Sequence, residues 1–395
     1  MRKFISGSLS LLGLGLALAC GGGGDGTPIS SLGGGESAVY MTVASDWTSA
    51  ATSIVSADNL MTSNQVNPFT TTDVWVFGYG SYYYTLGRYG ADFLERYDIA
   101  NPGTRLYHYS TLDSSETSSQ NPQELIFVSD TKAYLTRYAS GTQWVVNPAA
   151  STEALFKTGV IDLSVYDEGD GSPEMKSGVT VGSKCFLLAQ RLNWYQPSYT
   201  PYAVVIDTAS DTEINTGTAE AGSSLKGIAL PARNPGKVVY LESLGKIFVQ
   251  CTGQFAAYGG AYDREYSGGI ATIDPVTYEA SLLIDDGDAL TGSYNGLFYD
   301  MAIVSATKGY LSVYGSWGSL SLRPFNPTTG TVGEVISGFS GVDIRSFGVD
   351  SQGRLWIATA TGVSLLDPAT DTVIQADIDL GLVPNTGNSP AFLQH

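Results

Sequence analysis

ELIFVSDTKAYLTRYASGTQWVVNPAASTE (124–153) contains three short patterns in a fixed order, and that order decides the fold. An alternating apolar strand ends in a turn at ELIFVSDT (124–131). A basic residue then opens a second strand with an aromatic inside it, KAYLTRY (132–138). An Asn-Pro turn followed by β-branched and polar residues closes the unit at VNPAASTE (146–153). Asn or Asp with Pro is the chemistry of a tight turn, so the segment predicts four antiparallel strands joined by short connections.

The second pattern recurs as KCFLLAQRL (184–192), KIFVQC (246–251), KGYLSVYG (308–315) and RLWIATA (354–360). YYTLGRY (83–89) is a degenerate copy, and AVYMTVA (38–44) fits again. Successive full copies start 52, 62, 62 and 46 residues apart, the spacing of one four-stranded propeller blade. The turn pattern returns as YDIANPGT (97–104), IDTASDTE (206–213), IDPVTYEA (273–280), FNPTTGTV (325–332) and LDPATDTV (366–373). Six units begin near 73, 124, 174, 226, 300 and 343. A seventh is divided between residues 38–66 and NSPAFLQH (388–395). The expected fold is all-β, a seven-bladed β-propeller. Its ring is closed by Pro390–His395 pairing with Val39–Ala44, which removes an open sheet edge.

Composition agrees. Tyr (24) and Gly (47) are abundant, as half-buried strands and tight turns require, and no long amphipathic helical period occurs in residues 37–395. Lys plus Arg total 20 against 38 for Asp plus Glu, a net charge of −18, which argues against nucleic-acid binding, since that needs a basic face. Such a surface favours solubility, cations or basic partners.

Arg2 and Lys3 precede an apolar run, Phe4 to Ala19, that is short for a membrane span. The run ends LALAC, which resembles the lipobox of bacterial lipoproteins, although Ala17 stands at position −3. Residues 1–19 are therefore expected to be a lipoprotein signal peptide and Cys20 to carry the lipid; the alternative is that Ala17-x-Ala19 serves an ordinary signal peptidase. Residues 20–36, rich in Gly, read as a tether, and 37–395 as the propeller. By resemblance to bacterial lipoprotein sorting, Gly21 in place of Asp implies an outer-membrane destination. The remaining cysteines, Cys185 and Cys251, fall on second strands of neighbouring blades with side chains that do not face each other, so two buried thiols are expected.

The units resemble YVTN-type bacterial β-propellers, with their strand-then-IDPxT repeat. NPQELIFVSDTKAYLTRY (121–138), IDLSVYDEGDGSPEM (161–175) and LLAQRLNWY (187–195) resemble more narrowly a group of acidic propeller lipoproteins of bacterial cell envelopes. The resemblance implies location and shape; it does not imply a chemistry.

Loops entering the inner strands and leaving the second strands share one face, here called the top. Acids recur where inner strands begin: Asp73, Glu124, Glu174, Asp300 and Asp343, with Lys226 in the corresponding region of the fifth unit. Arg88, Arg137 and Arg191 recur where second strands end. The strand geometry predicts the pairs Asp73–Arg88, Glu124–Arg137 and Glu174–Arg191. They read either as ties at each blade rim, worth about 0–1 kcal/mol if exposed, or as a partly neutralised carboxylate ring around a polar pocket.

YDEGDGSPE (166–174) and IDDGDAL (284–290) offer Asp167, Glu168 and Asp170, or Asp285, Asp286 and Asp288, as oxygen ligands for Ca2+, without the full spacing of a calcium hand. Insertions at NWYQPSYTPY (193–202) and GQFAAYGGAYDREYSGG (253–269) place Trp194, Tyr195, Tyr199, Tyr202, Tyr258, Tyr262 and Tyr266 on adjacent blades, as a contact surface or as cover for blade edges. The two histidines, His108 and His395, form no catalytic set. The leading expectation is a monomeric, lipid-anchored binding scaffold whose top face recognises an envelope protein or glycan. The alternatives are a calcium-assisted hydrolase or lactonase using Asp73, Glu124, Glu174 and Asp300, and a structural envelope component.

Overall fold

The computed structural model describes residues 35–193, 198–254, 266–288 and 293–395, and among them the repeat is realised as seven antiparallel sheets around a central channel. Blade 2 is built from Val74–Tyr79, Tyr82–Gly87, Phe93–Asp98 and Arg105–Ser110. Blades 3 to 7 begin with inner strands Pro122–Ser129, Met175–Val181, Pro235–Leu241, Leu297–Ser305 and Ile344–Val349. Blade 1 joins the two ends of the described chain: Ala391–Gln394 is the inner strand against Glu36–Val43, followed by Ala50–Ser56.

Second strands run almost continuously apolar because they are covered on both faces by neighbouring blades; in KIFVQC and KCFLLA every residue after the first is buried. Outer strands such as TVIQADI (372–378) are mostly exposed, Val373 and Ile374 included. Seven apolar clusters fill the seven blade interfaces. One joins Trp356 and Leu365 of blade 7 to Tyr40 and Val55 of blade 1, and another joins Val39, Ala391 and Leu393 of blade 1 to Val74 and Tyr83 of blade 2. The ring is therefore closed by packing as well as by hydrogen bonds.

The repeated lysine and the repeated turn are two halves of one contact on the bottom face. Lys132 Nζ donates to Thr208 O at 2.7 Å and lies 2.7 Å from Asp211 Oδ1, both in the third-to-fourth-strand turn of the next blade. Lys308 repeats this with Asp371 at 2.6 Å, and Lys184 donates to Pro275 O at 3.0 Å. The turns are shaped by their own Asp: Asp207 accepts from the N–H groups of Ala209 and Ser210, and Asp274 from those of Val276 and Thr277.

Two sequence boundaries move. The fifth blade starts at Pro235, not near 226: Ile228–Ala229 pairs with the third strand of blade 4, so Lys226 sits at that blade's outer edge, 3.6 Å from Glu213 Oε2. The apolar stretch IAL buries Ile228 and Leu230 there, which mimics the start of a strand. The closing strand pairs Ala391–Gln394 with Glu36–Val39, while Val383–Pro384 pairs with Thr42–Val43. Residues 385–390 therefore leave the sheet as an arch, and Asn385 and Asn388 of this arch bond the backbone of Val74 and Val76 in blade 2. Cys185 and Cys251 are buried free thiols in separate interface clusters.

Candidate functional site

Five inner strands share a device invisible in the sequence. In blades 3 to 7 the pairing slips by one residue just inside the top end, leaving an extra residue at Gln123, Lys176, Gly236–Lys237, Tyr299 and Arg345. A bulge of this kind re-aims the side chain it frees. Lys176, Lys237 and Tyr299 thereby line a cavity of about 490 Å3 in the top half of the channel, with Trp75, Glu124, Asp300 and the 386–390 arch as further wall.

The next position in the strand forms a second repeated contact. Glu124 Oε2 accepts the Gly178 N–H at 3.0 Å, Asp300 Oδ2 accepts the Phe347 N–H at 3.2 Å, and Asn388 Oδ1 accepts the Val76 N–H at 2.7 Å. Glu124 and Asp300 each stitch one inner strand to the next around the channel, and Asn388 does the same from the arch. Glu124 and Asp300 thus act as blade clasps and also present a carboxyl to the cavity.

The two lysines come from adjacent blades. Lys176 Nζ donates to Gln123 Oε1 at 2.7 Å and lies 4.7 Å from the centre of the Trp75 ring, over which Arg88 also packs at 3.8 Å. Lys237 Nζ reaches across to Ser389 Oγ in the arch and lies 3.8 Å from Asp300 Oδ1. Burial pushes the Glu124 carboxyl up to about 7 against the pull of the Gly178 N–H and of both lysines. Burial and Arg88 hold the Lys176 ammonium down at about 7, against Glu124 and Asp73. Burial also raises Asp300, opposed chiefly by Lys237. The cavity therefore holds a carboxyl and an amine that both titrate near neutrality.

Of the predicted pairs, one forms: Arg88 Nε lies 3.4 Å from Asp73 Oδ1 at the rim. Arg137 does not meet Glu124. Glu124 stands opposite Thr136, so Arg137 falls on the other sheet face, where it is buried, bonds Glu116 and packs over Trp144. Arg191 does not meet Glu174. Its Nε donates to Tyr166 O at 2.9 Å and lies 3.5 Å from Glu168 Oε2, while Glu174 accepts from Ser172 Oγ and the Leu192 N–H. Asp343 is taken by Arg345, at 3.0 Å. Of the five acids, Glu124 and Asp300 line the channel cavity; Asp73, Glu174 and Asp343 sit outside its wall. The sequence reading missed Lys176 and Lys237, and it placed Lys226 in the role that Lys237 fills.

In the 166–174 loop, Asp167 turns one carboxylate oxygen to its own backbone and does not join the acidic cluster. Its Oδ1 accepts the N–H groups of Gly169, Asp170 and Gly171, which keeps its carboxyl below the usual range. Glu168, Asp170 and Glu174 instead converge, with ligand atoms within 4.8 Å of one another. No such convergence of three occurs at Asp285, Asp286 and Asp288 among the described residues. There Asp285 caps the Gly287 N–H and Asp286 accepts the Gly268 N–H. Cys20, Trp194, Tyr195, Tyr258 and Tyr262 lie outside the described residues. Tyr199 is exposed with Arg191 5.6 Å from its ring centre, and Tyr202 is buried. His108 bonds Glu95 in the outer part of blade 2, and His395 bonds Ser37.

The fold is shared with bacterial propellers. The chain is similar to the Pseudomonas aeruginosa periplasmic gluconolactonase PpgL, with a TM-score of 0.58 at 12% identity over 90% of this chain and 99% of that one. It is similar to AztD from Citrobacter koseri, with a TM-score of 0.50 at 9% identity over 92% and 99% of the two chains. A streptogramin B lyase superposes with a TM-score of 0.50 at 10% identity over 82% and 91%. No protein-family model matches the chain, and no curated protein matches it in sequence.

Proposed function

We propose that this chain is a binding protein of the bacterial cell envelope, held to the outer membrane by a lipid on Cys20, that takes an acidic saccharide unit of an envelope glycan into the top of its channel. The observation that carries this reading is the pair Lys176 and Lys237, freed by bulges on adjacent blades to face one cavity. Among the described residues Lys176 has one hydrogen-bond acceptor, and Lys237 has one besides the more distant Asp300. An ammonium group has three donors, so both retain capacity for a carboxylate. A volume near 490 Å3 suits one or two sugar rings, and the carboxyls and the arch offer acceptors for hydroxyls. Two ammonium groups in the wall suit an anion better than a bare Ca2+ ion, which favours binding over a calcium-assisted reaction in the channel.

The test is a calorimetric titration with galacturonate and glucuronate oligomers against their neutral counterparts. The acidic series binds, and Lys237→Met weakens it by roughly tenfold or more, as expected for loss of a charge-assisted contact. Equal binding of neutral and acidic sugars, or undiminished affinity in both Lys176→Met and Lys237→Met, would sink the reading. A second reading, lactone hydrolysis, is favoured by one observation: Glu124 and Lys176 both sit near 7, where general acid–base transfer works best. Turnover of aldonolactones abolished by Glu124→Gln would select it.

A further inference from the structure

The 166–174 loop enters blade 4 on the top face and holds the described chain's one convergence of three carboxylates. Acidic clusters on a surface are common, but here one member is buried without a hydrogen bond. The Glu168 side chain is only 2% exposed, and neither of its carboxylate oxygens has a hydrogen-bond partner. Its nearest countercharge, Arg191 Nε, lies 3.5 Å away, and the hydrogen bonds of that guanidinium go to Tyr166 O and Thr200 O rather than to Glu168. A buried carboxylate without donors is costly unless something else supplies the charge.

We propose that Glu168, Asp170 and Glu174 form a binding site for a divalent cation of the calcium class. The three carboxylates and the one guanidinium leave two negative charges, which match such an ion. All three ligands are oxygens, which suits calcium over zinc or copper. Asp170 is exposed, so water can complete the six to eight ligands that calcium takes, while Glu168 closes the inner side. The loop is preformed: Asp167 gathers three backbone N–H groups, and Gly169 and Gly171 hold φ of 110° and 112°, open to glycine without strain. Lys176 follows Glu174 by two residues, so an ion here would fix the segment that carries the channel lysine.

The experiment uses the whole chain, freed of metal by chelator, titrated with calcium chloride by calorimetry and followed by thermal melting. Wild type binds calcium and its melting temperature rises with concentration. Glu168→Gln melts at or above the calcium-free wild type, because a buried repulsion is gone, and loses the calcium response. Asp170→Asn, altered at an exposed position, folds normally and binds calcium about tenfold or more weaker. No heat and no melting shift in wild type at millimolar calcium overturns the proposal. A full calcium response kept by both variants also overturns it, because the ion then sits elsewhere. Lys237→Met keeps the calcium response, so failure of the channel reading is separable from failure of this one.

Discussion

Glu124 offers a sharp test of the channel's electrostatics, because one atom changes and the backbone clasp is kept. In Glu124→Gln the amide oxygen still accepts the Gly178 N–H, while the buried charge is lost. The native carboxyl stands at about 7 against 4.5 for the free group, a gap worth about 3 kcal/mol. The sign follows from proton counting. Below pH 4.5 both folded and unfolded chains hold the proton. Between 4.5 and 7 the unfolded chain has released it and the folded chain has not, so wild-type stability falls as pH rises through that window. The glutamine variant has no proton to hold and lacks this fall.

The variant is therefore expected to equal wild type near pH 4 and to exceed it by about 1–3 kcal/mol at pH 7. Two charges limit the gain. Lys176 and Lys237 both lose a countercharge, and Lys176, already depressed to about 7, loses more of its ammonium form. Urea unfolding followed by tryptophan fluorescence, at several pH values from 4 to 7, measures the difference directly. Curves for the two proteins that stay parallel across this range would refute the buried-carboxyl argument. So would a wild type that gains stability relative to the variant as pH rises.

Two further predictions concern the ring. Leu393 is 1% exposed in the cluster that joins blades 1 and 2, so Leu393→Ala should cost about 2–5 kcal/mol in urea unfolding; a cost under about 0.5 kcal/mol would mean the closing strand is not packed as described. Asp371 separates charge from hydrogen bonding at the bottom clasp. Asp371→Asn keeps an acceptor for Tyr310 Oη and tolerates the left-handed φ of 56°, so loss of the part-exposed Lys308 pair should cost about 0–1 kcal/mol. Asp371→Ala orphans the buried Tyr310 hydroxyl and should cost about 1–3 kcal/mol, and equal costs for the two variants would refute the division.

The fold was legible because its signals are local and repeated. A second strand covered on both faces must be apolar along its length, and a tight turn needs Asp or Asn, so KIFVQC and IDPVT mark their positions without reference to the rest of the chain. The periodic lysine was visible as a pattern before it had a meaning. Its meaning is the contact to the next blade's turn, as Lys132 with Asp211 and Lys308 with Asp371 show. Boundaries failed where an irregular segment imitates a strand, as at Ile228–Leu230, whose apolar character serves blade 4 rather than opening blade 5.

The site was less legible, and register is the physical reason. Side-chain direction in a strand has period two, so one inserted residue reverses every assignment that counts from the strand's end. Counting from the turn placed Glu124 beside Arg137. A slip beside the turn, between Lys132 and Ala133, instead sets Glu124 against Thr136 and sends Arg137 to the opposite face, and the slip at Gln123 then sets Arg137 against Pro122. The same slip exposes Lys176 and Lys237 to the channel, and nothing in MKSG (175–178) or PGKV (235–238) announces it. Five blades carry the slip at the same depth, whereas blade 2 pairs without interruption from Val74 to Tyr79 and meets the channel with Trp75. The bulge is thus a property of position in the ring, and the residue standing at it varies from Gln to Lys to Tyr to Arg. A constant backbone irregularity carrying variable side chains leaves the scaffold to the repeat and the chemistry of the mouth to the residues at the bulge. It also predicts where to look in any chain of this architecture: one residue inside the top of each inner strand, rather than at the charged residues that precede it.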